Sequence, residues 1–172
     1  ASSELVRRYR DRIYRTIQRF TRNQSDTDDL VQETFLRAFR DLRSFGGRSG
    51  FYTWIYRIAV NQCLNFLKKK RKETGREEFA DHLIDNRRPD FGTPQSVQAA
   101  GELRARLKAA IDSLPLPYRA CFTLVVFQGM THCQAAGVLG CSEKTVSWRM
   151  HKARKMLQAR LRPYLGEVSD EM

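Results

Sequence analysis

The sequence predicts an all-α protein: two small helical domains joined by a flexible linker. Three observations predict it. Apolar residues recur at three-to-four spacing through almost every patterned segment, and no convincing run of period two appears. Near the C-terminal end, Ala136, Gly140 and Val146 have the spacing of a helix-turn-helix, with a small contact residue, a turn glycine and a branched apolar anchor. Charge also falls in blocks. Residues 1–73 carry 17 basic and 8 acidic side chains, residues 74–98 carry 3 and 5, and residues 99–172 carry 11 and 6. Two cationic modules therefore flank an acidic connector, and the division expected is 1–73, linker 74–98, 99–165, and a tail over 166–172.

The elements follow in order. Leu5, Tyr9, Ile13, Ile17 and Phe20 give a first amphipathic helix with arginines on its outer face. Asp26 opens a second helix, whose acidic first turn (Asp26, Asp28, Asp29) suits the positive end of a helix dipole. Leu30, Val31, Phe35, Ala38, Phe39 and Leu42 supply its apolar side. Ser44 to Gly50 is a glycine-rich loop. A third helix runs from about Phe51 to Arg71, with Phe51, Ile55, Ile58, Ala59, Cys63 and Phe66 facing the core. Gly75, Pro89, Gly92 and Pro94 mark the linker, which holds at most a short helix near Glu77–Leu83. The second block begins with a helix from about Gln95 to Ser113 (Leu103, Leu107, Ile111), then another around Tyr118–Phe127 after Leu114-Pro115. The helix-turn-helix closes the chain: Ser142 caps its second helix, which is expected to end before Pro163.

A net charge of +12 in 172 residues is a statement about partners, and a polyanion is the simplest one. No segment approaches the roughly 20 apolar residues of a membrane span, and the N-terminus has no apolar signal core, so a cytoplasmic protein without membrane insertion is expected. Cys63, Cys121, Cys133 and Cys141 lack CxxC spacing and read as free thiols. His132, Cys133, Cys141 and His151 do not have structural-zinc spacing, so no metal and no cofactor is expected. No phosphate-cradling glycine loop, carboxylate pair or nucleophile-base set is recognisable, which argues against an enzyme.

Two constellations carry chemistry. On the third helix Asn61, Asn65, Lys68/Lys69 and Lys72 share a face. Asparagine amides pair with base edges and lysines hold phosphates; an ordinary solvated helix end has the same pattern. Around the glycine loop, Phe45, Phe51, Tyr52, Trp54 and Tyr56 form an aromatic cluster on which single-stranded bases could stack. Phe51 and Trp54 are expected to be core instead. The loop itself can offer backbone donors to an extruded base.

Asp28 to Phe35, Ser44-Phe45-Gly46 and Phe51 to Asn61 resemble region 2 of bacterial extracytoplasmic-function (ECF, group 4) sigma factors of the sigma-70 family, and Leu114-Pro115 through Leu157 resembles their region 4. The joint occurrence, in this order, is specific; the helix-turn-helix alone is not. The resemblance implies a region-2 helical bundle and a region-4 helix-turn-helix. It implies that Asp28, Asp29, Gln32 and Glu33 dock on the β′ clamp of RNA polymerase core while the second domain rests on the β flap. Phe45, Gly46, Gly47, Arg48 and Ser49, with Asn61, would capture a flipped base of the minus-10 element; Tyr56 would also bind that element, and Asn65, Lys68 and Lys69 would lie along its strand. The recognition helix would read the minus-35 element with Ser142, Lys144, Thr145, Ser147, Trp148, Arg149, His151, Lys152 and Lys155.

The sequence departs from the pattern at Ser147-Trp148-Arg149, where many relatives carry an arginine first. Arginine is the usual bidentate reader of guanine, so the minus-35 sequence is open, and Trp148 either meets thymine methyls or packs on its own domain. The resemblance further implies control by an anti-sigma factor and a monomer or a 1:1 heterodimer with it. The competing reading is an autonomous helix-turn-helix regulator that binds a palindromic duplex without polymerase.

Overall fold

The computed structural model describes residues 2–47, 50–74 and 95–169. In these the fold is all-α. Helix α1 (Ser2–Thr21) packs on α2 (Gln24–Asp41), and both pack on α3 (Phe51–Glu73). Ile13, Ile17 and Phe20 from α1, Leu30, Val31 and Ala38 from α2, and Ile55, Ala59, Val60 and Cys63 from α3 are buried together. The three-to-four spacing thus produces the predicted shared core. Helix α2 starts earlier than Asp26, because Asn23 is its cap and accepts a 2.8 Å hydrogen bond from the Asp26 amide. The acidic residues therefore sit inside the first turns rather than at their edge. The tight turn before it places Arg22 at φ 60, in the left-handed region. Buried threonines satisfy their hydroxyls locally: Thr34 donates to the Leu30 carbonyl at 2.7 Å.

The second block comprises α4 (Gln95–Asp112), α5 (Leu116–Phe122) with a π-helical turn Thr123–Phe127, α6 (His132–Leu139) and α7 (Glu143–Ser169). Ile111, Leu114, Leu116, Ala120, Leu124, Val138, Val146, Met150, Ala153 and Leu157 form its buried interior. Leu103 and Leu107, the apolar positions that mark this helix along with Ile111, are 47% and 41% exposed. Among the α4 residues whose burial is described, Ala110 and Ile111 in the C-terminal turn are the buried ones.

Contrary to expectation, α7 does not stop at Pro163 but runs through it to Ser169. The missing amide hydrogen bond is offset by side-chain contacts on either side. Arg160 reaches the Ser113 hydroxyl, Tyr164 donates to Glu102 at 2.6 Å, and the Arg106 guanidinium lies 3.1 Å from the Tyr164 ring centroid. The expected short helix near Glu77–Leu83 lies outside the described residues. No helix among the described residues is long and apolar enough to cross a membrane.

The two blocks touch, a feature that the sequence pattern did not anticipate. Helix α3 packs along α6, and Gly137 allows the approach: a Cβ there would sit 3.1 Å from Thr53 Cγ2. Arg57 donates from Nε and Nη2 to the Gly137 carbonyl at 3.0 and 2.8 Å. Arg22 pairs with Asp112 at 3.4 Å, and Arg19 stacks over the Phe127 ring at 3.6 Å.

Candidate nucleic-acid interface

The helix-turn-helix is fixed by local chemistry. Thr131 caps α6, accepting from the Gln134 amide at 3.1 Å, while the Gln134 side chain accepts from the Thr131 amide at 3.0 Å. Gly140 ends α6 at φ 68, the left-handed conformation that glycine adopts without a Cβ clash. Ser142 then caps α7, accepting from the Thr145 amide at 3.1 Å. Val146, Met150, Ala153 and Leu157 fall on one face and are buried.

Burial of that face turns the other outward. Lys144, Ser147, Trp148, His151, Lys152 and Lys155 are all exposed. Trp148 is 52% exposed, with its ring centroid 6.3 Å from that of Tyr118 and the Lys152 ammonium 5.0 Å from its own. It packs partly on its own domain and keeps half its surface free. Ser147 is within hydrogen-bonding distance of His132 Nδ1, at 2.8 Å, and Ser142 and Thr145 are joined to each other at 2.8 Å. Arg149 is half-buried and lies against the Cys121 thiol, whose pKa is pushed up by burial and drawn partly back by that guanidinium. These placements make Lys144, Trp148, His151, Lys152 and Lys155 the open positions, with Ser142 and Thr145 occupied in capping.

In the first block, Asn61, Asn65, Lys68 and Lys69 are exposed along one side of α3, with Lys72 a turn further on. Their basic end suits the negative pole of the helix dipole. Phe45 is half-buried in an aromatic stack, with centroids 5.9 Å from Phe51 and 5.0 Å from Trp54; Tyr9 continues it at 5.4 Å from Phe51. Phe51 and Trp54 are therefore half-buried in this stack rather than full core. Gly46 and Gly47 are exposed, and Gly47 has φ 68 with open space around it. Arg48 and Ser49 lie outside the described residues.

Tyr56 is the correction. It has no exposed surface, and its hydroxyl donates to Gln128 Oε1 across the seam at 3.2 Å. Burial pushes its pKa up to about 12. With the blocks together it is a buried seam residue, not the exposed aromatic expected.

Asp28, Asp29, Gln32 and Glu33 are exposed on α2, and Glu33 is paired with Arg37 at 3.4 Å. Sequence reasoning missed three exposed apolar residues in the second half of α2 and just past its end: Leu36, Phe39 and Leu42 are 58%, 43% and 38% exposed. Leu36 gave a usable signal, since it is an apolar residue out of phase with the Leu30, Val31, Ala38 stripe. Phe39 and Leu42 gave none, because both are in phase.

Comparison with known proteins decides the family. Residues 5–73 match Sigma-70 region 2, and residues 104–157 match Sigma-70, region 4. The ECF RNA polymerase sigma-E factor of Haemophilus influenzae is 31% identical over 166 residues, spanning 94% of this chain and 87% of that one. This chain belongs to the ECF RNA polymerase sigma factors. The RNA polymerase sigma-H factor of Pseudomonas aeruginosa is 32% identical, over 95% of this chain and 88% of its own length. Among solved structures, CnrH in complex with the cytosolic domain of CnrY superposes with TM-score 0.67 at 28% identity, covering 94% of this chain and 88% of that one. The sigma factor RpoE of Bartonella quintana, solved with the anti-sigma factor NepR, shares the fold with TM-score 0.68 at 21% identity, over 93% and 96% of the two chains.

Proposed function

We propose that this ECF sigma factor is a dissociable initiation subunit that binds core RNA polymerase and directs promoter-specific transcription. Its first block (1–73) docks on core and engages the minus-10 element. Its second block (99–165) reads the minus-35 element, and the segment 74–98 sets the reach between them. The observation that carries this reading is the co-occurrence, in order on one chain, of region 2 and region 4. The exposed polar faces of α3 and α7 agree with it.

Asn61 and the Gly46–Gly47 turn are the proposed readers of an extruded base, and Asn65, Lys68 and Lys69 hold the strand behind it. Lys144, Trp148, His151, Lys152 and Lys155 face the duplex, and Arg149 joins them only by leaving Cys121. On α2 the acidic residues steer a partner whose apolar contact is Leu36, Phe39 and Leu42. An anti-sigma factor is the proposed regulator, since a sigma factor of this fold was solved in such a complex. The autonomous-regulator reading is not favoured. The chain acts where core polymerase acts, in the cytoplasm, and has no catalytic role of its own.

A promoter-fragment binding assay with and without core enzyme tests this. Weak, sequence-indifferent binding alone and promoter-specific retention with core are expected. Tight specific binding to a palindrome without core contradicts the reading.

A further inference from the structure

A cleft of about 500 Å³ lies between α1 of the first block and α4 and α5 of the second. Arg15, Arg19 and Arg22 line it from one side, and Arg104, Lys108 and Arg119 from the other. Asp112 is the one carboxylate among its described lining residues, and Arg22 already engages it, by the ion pair and by a 2.8 Å bond to its carbonyl. Like charges gathered in a concavity focus a positive potential that an anion relieves.

Arg119 strengthens this. It is only 8% exposed, its Nη1 has a long 3.4 Å contact to the Asp112 carbonyl, and its Nε has no hydrogen-bond partner. Burial, then the Arg22 charge, push its pKa down to about 10; Asp112, which Arg22 already engages, pulls it back only in part. Arg19 is lowered by burial and by Arg15 in the same way. The cleft is not only cationic: Leu107 and Phe127 line it as well, and the Arg19 guanidinium already stacks on the Phe127 ring.

We propose that this cleft binds a small polyanion of the nucleoside polyphosphate class. The phosphates sit on Arg22, Arg104, Lys108 and Arg119, and the planar base lies against Leu107 and the outer face of the Arg19 guanidinium that covers Phe127. Guanidinium forks match phosphate oxygens in pairs, and the volume falls in the usual range for a small-ligand site, about 300–1,000 Å³. Because the lining comes from both blocks, an occupied site holds them together.

Titration calorimetry on the full chain at fixed ionic strength tests the site, using ATP, inorganic tripolyphosphate and sulfate as probes. Saturable 1:1 binding of ATP is expected, with tripolyphosphate weaker and sulfate negligible. Arg119 is buried and its loss risks the fold, so the variants are the exposed Arg104→Ala and Lys108→Ala, each expected to weaken ATP at least ten-fold. Arg154→Ala, on the outer side of α7, should leave affinity unchanged.

Absence of saturable ATP binding overturns the proposal, as does equal weakening by Arg154→Ala, which would mean diffuse surface charge. Equal affinity for ATP and tripolyphosphate overturns the nucleoside assignment. Binding of a glutamate-rich peptide but not of ATP would give the cleft to a protein partner and overturn the proposal too. The titration contains no polymerase, so a negative result leaves the initiation reading standing.

Discussion

Separating the two blocks is the perturbation on which the arrangement makes its sharpest prediction. At its tightest point the α3–α6 seam has no room for a further methyl group, and one guanidinium clamp stands beside it. Arg57→Ala removes two bonds to the Gly137 carbonyl, at 3.0 and 2.8 Å. Bonds to a charged donor contribute about 1.5–3 kcal/mol when sheltered. Arg57 is exposed, so solvent reduces the pair to about 1 kcal/mol, roughly a five-fold shift toward the open form.

Gly137→Leu acts on the same seam sterically. Its Cβ alone meets Thr53 Cγ2 at 3.1 Å, and the rest of the side chain has to enter the helix contact. Overpacking of that kind costs about 1–3 kcal/mol. The two changes share a residue, so their effects should not add fully. Gly137→Ala gives an informative sign. Within α6 alone alanine gains up to about 1 kcal/mol over glycine, whereas against Thr53 it is crowded. Small-angle scattering reads the outcome: a closed chain of this length has a radius of gyration near ~16 Å. The double variant Arg57→Ala/Gly137→Leu should expand by several ångströms while keeping its helix content. An unchanged radius in the double variant, or plain stabilisation by Gly137→Ala with no change in compaction, would refute the seam argument.

Other predictions are independent of it. Asn61→Ala should impair minus-10 opening and discrimination without loss of core binding, measured by permanganate reactivity and by co-elution with core. Lys152→Ala should weaken minus-35 engagement across sequences and flatten the salt dependence by about one unit, read from binding isotherms at several salt concentrations. Val146 has no exposed surface, so Val146→Ala should cost about 1–3 kcal/mol by denaturant unfolding as α6 and α7 lose their shared anchor. Burial pushes the Cys63 thiol up to about 12, so at pH 8 it should resist alkylation while the exposed Cys133 reacts first, as peptide mapping would show. The same raised pKa values for Cys63 and Tyr56 set an alkaline limit. Unfolded thiol and phenol lose protons from about pH 9 and 10, whereas the folded groups hold theirs to about 12. Stability should therefore fall as pH rises through that window.

What was legible in the chain was what is decided locally. Gly140, Ser142 and Val146 fix the helix-turn-helix through a left-handed turn, a cap and an anchor that lie within seven residues of one another. The stripes Ile13, Ile17, Phe20 and Ile55, Ala59, Cys63 gave the first core for the same reason. Boundaries were less legible, because a cap is a competition. Asn23 takes the start of α2 from Asp26, and contacts of Arg160 and Tyr164 with distant residues carry α7 past Pro163.

The seam was not legible at all. Tyr56 looks like one more aromatic beside a glycine loop until Gln128, 72 positions away, takes its hydroxyl. Arg15, Arg19 and Arg22 read as a solvated face until α4 brings Arg104 and Lys108 opposite them. Nothing in periodicity encodes which charged face meets which across a linker.

The central claim is that the two cationic blocks act together, on core polymerase, to choose where transcription begins. Run-off transcription from a promoter library, with purified core enzyme and this chain, tests it most directly. Transcripts should start only when both are present, from templates sharing one upstream and one downstream element at a fixed spacing. Transcripts independent of this chain, or start sites indifferent to either element, would contradict the account.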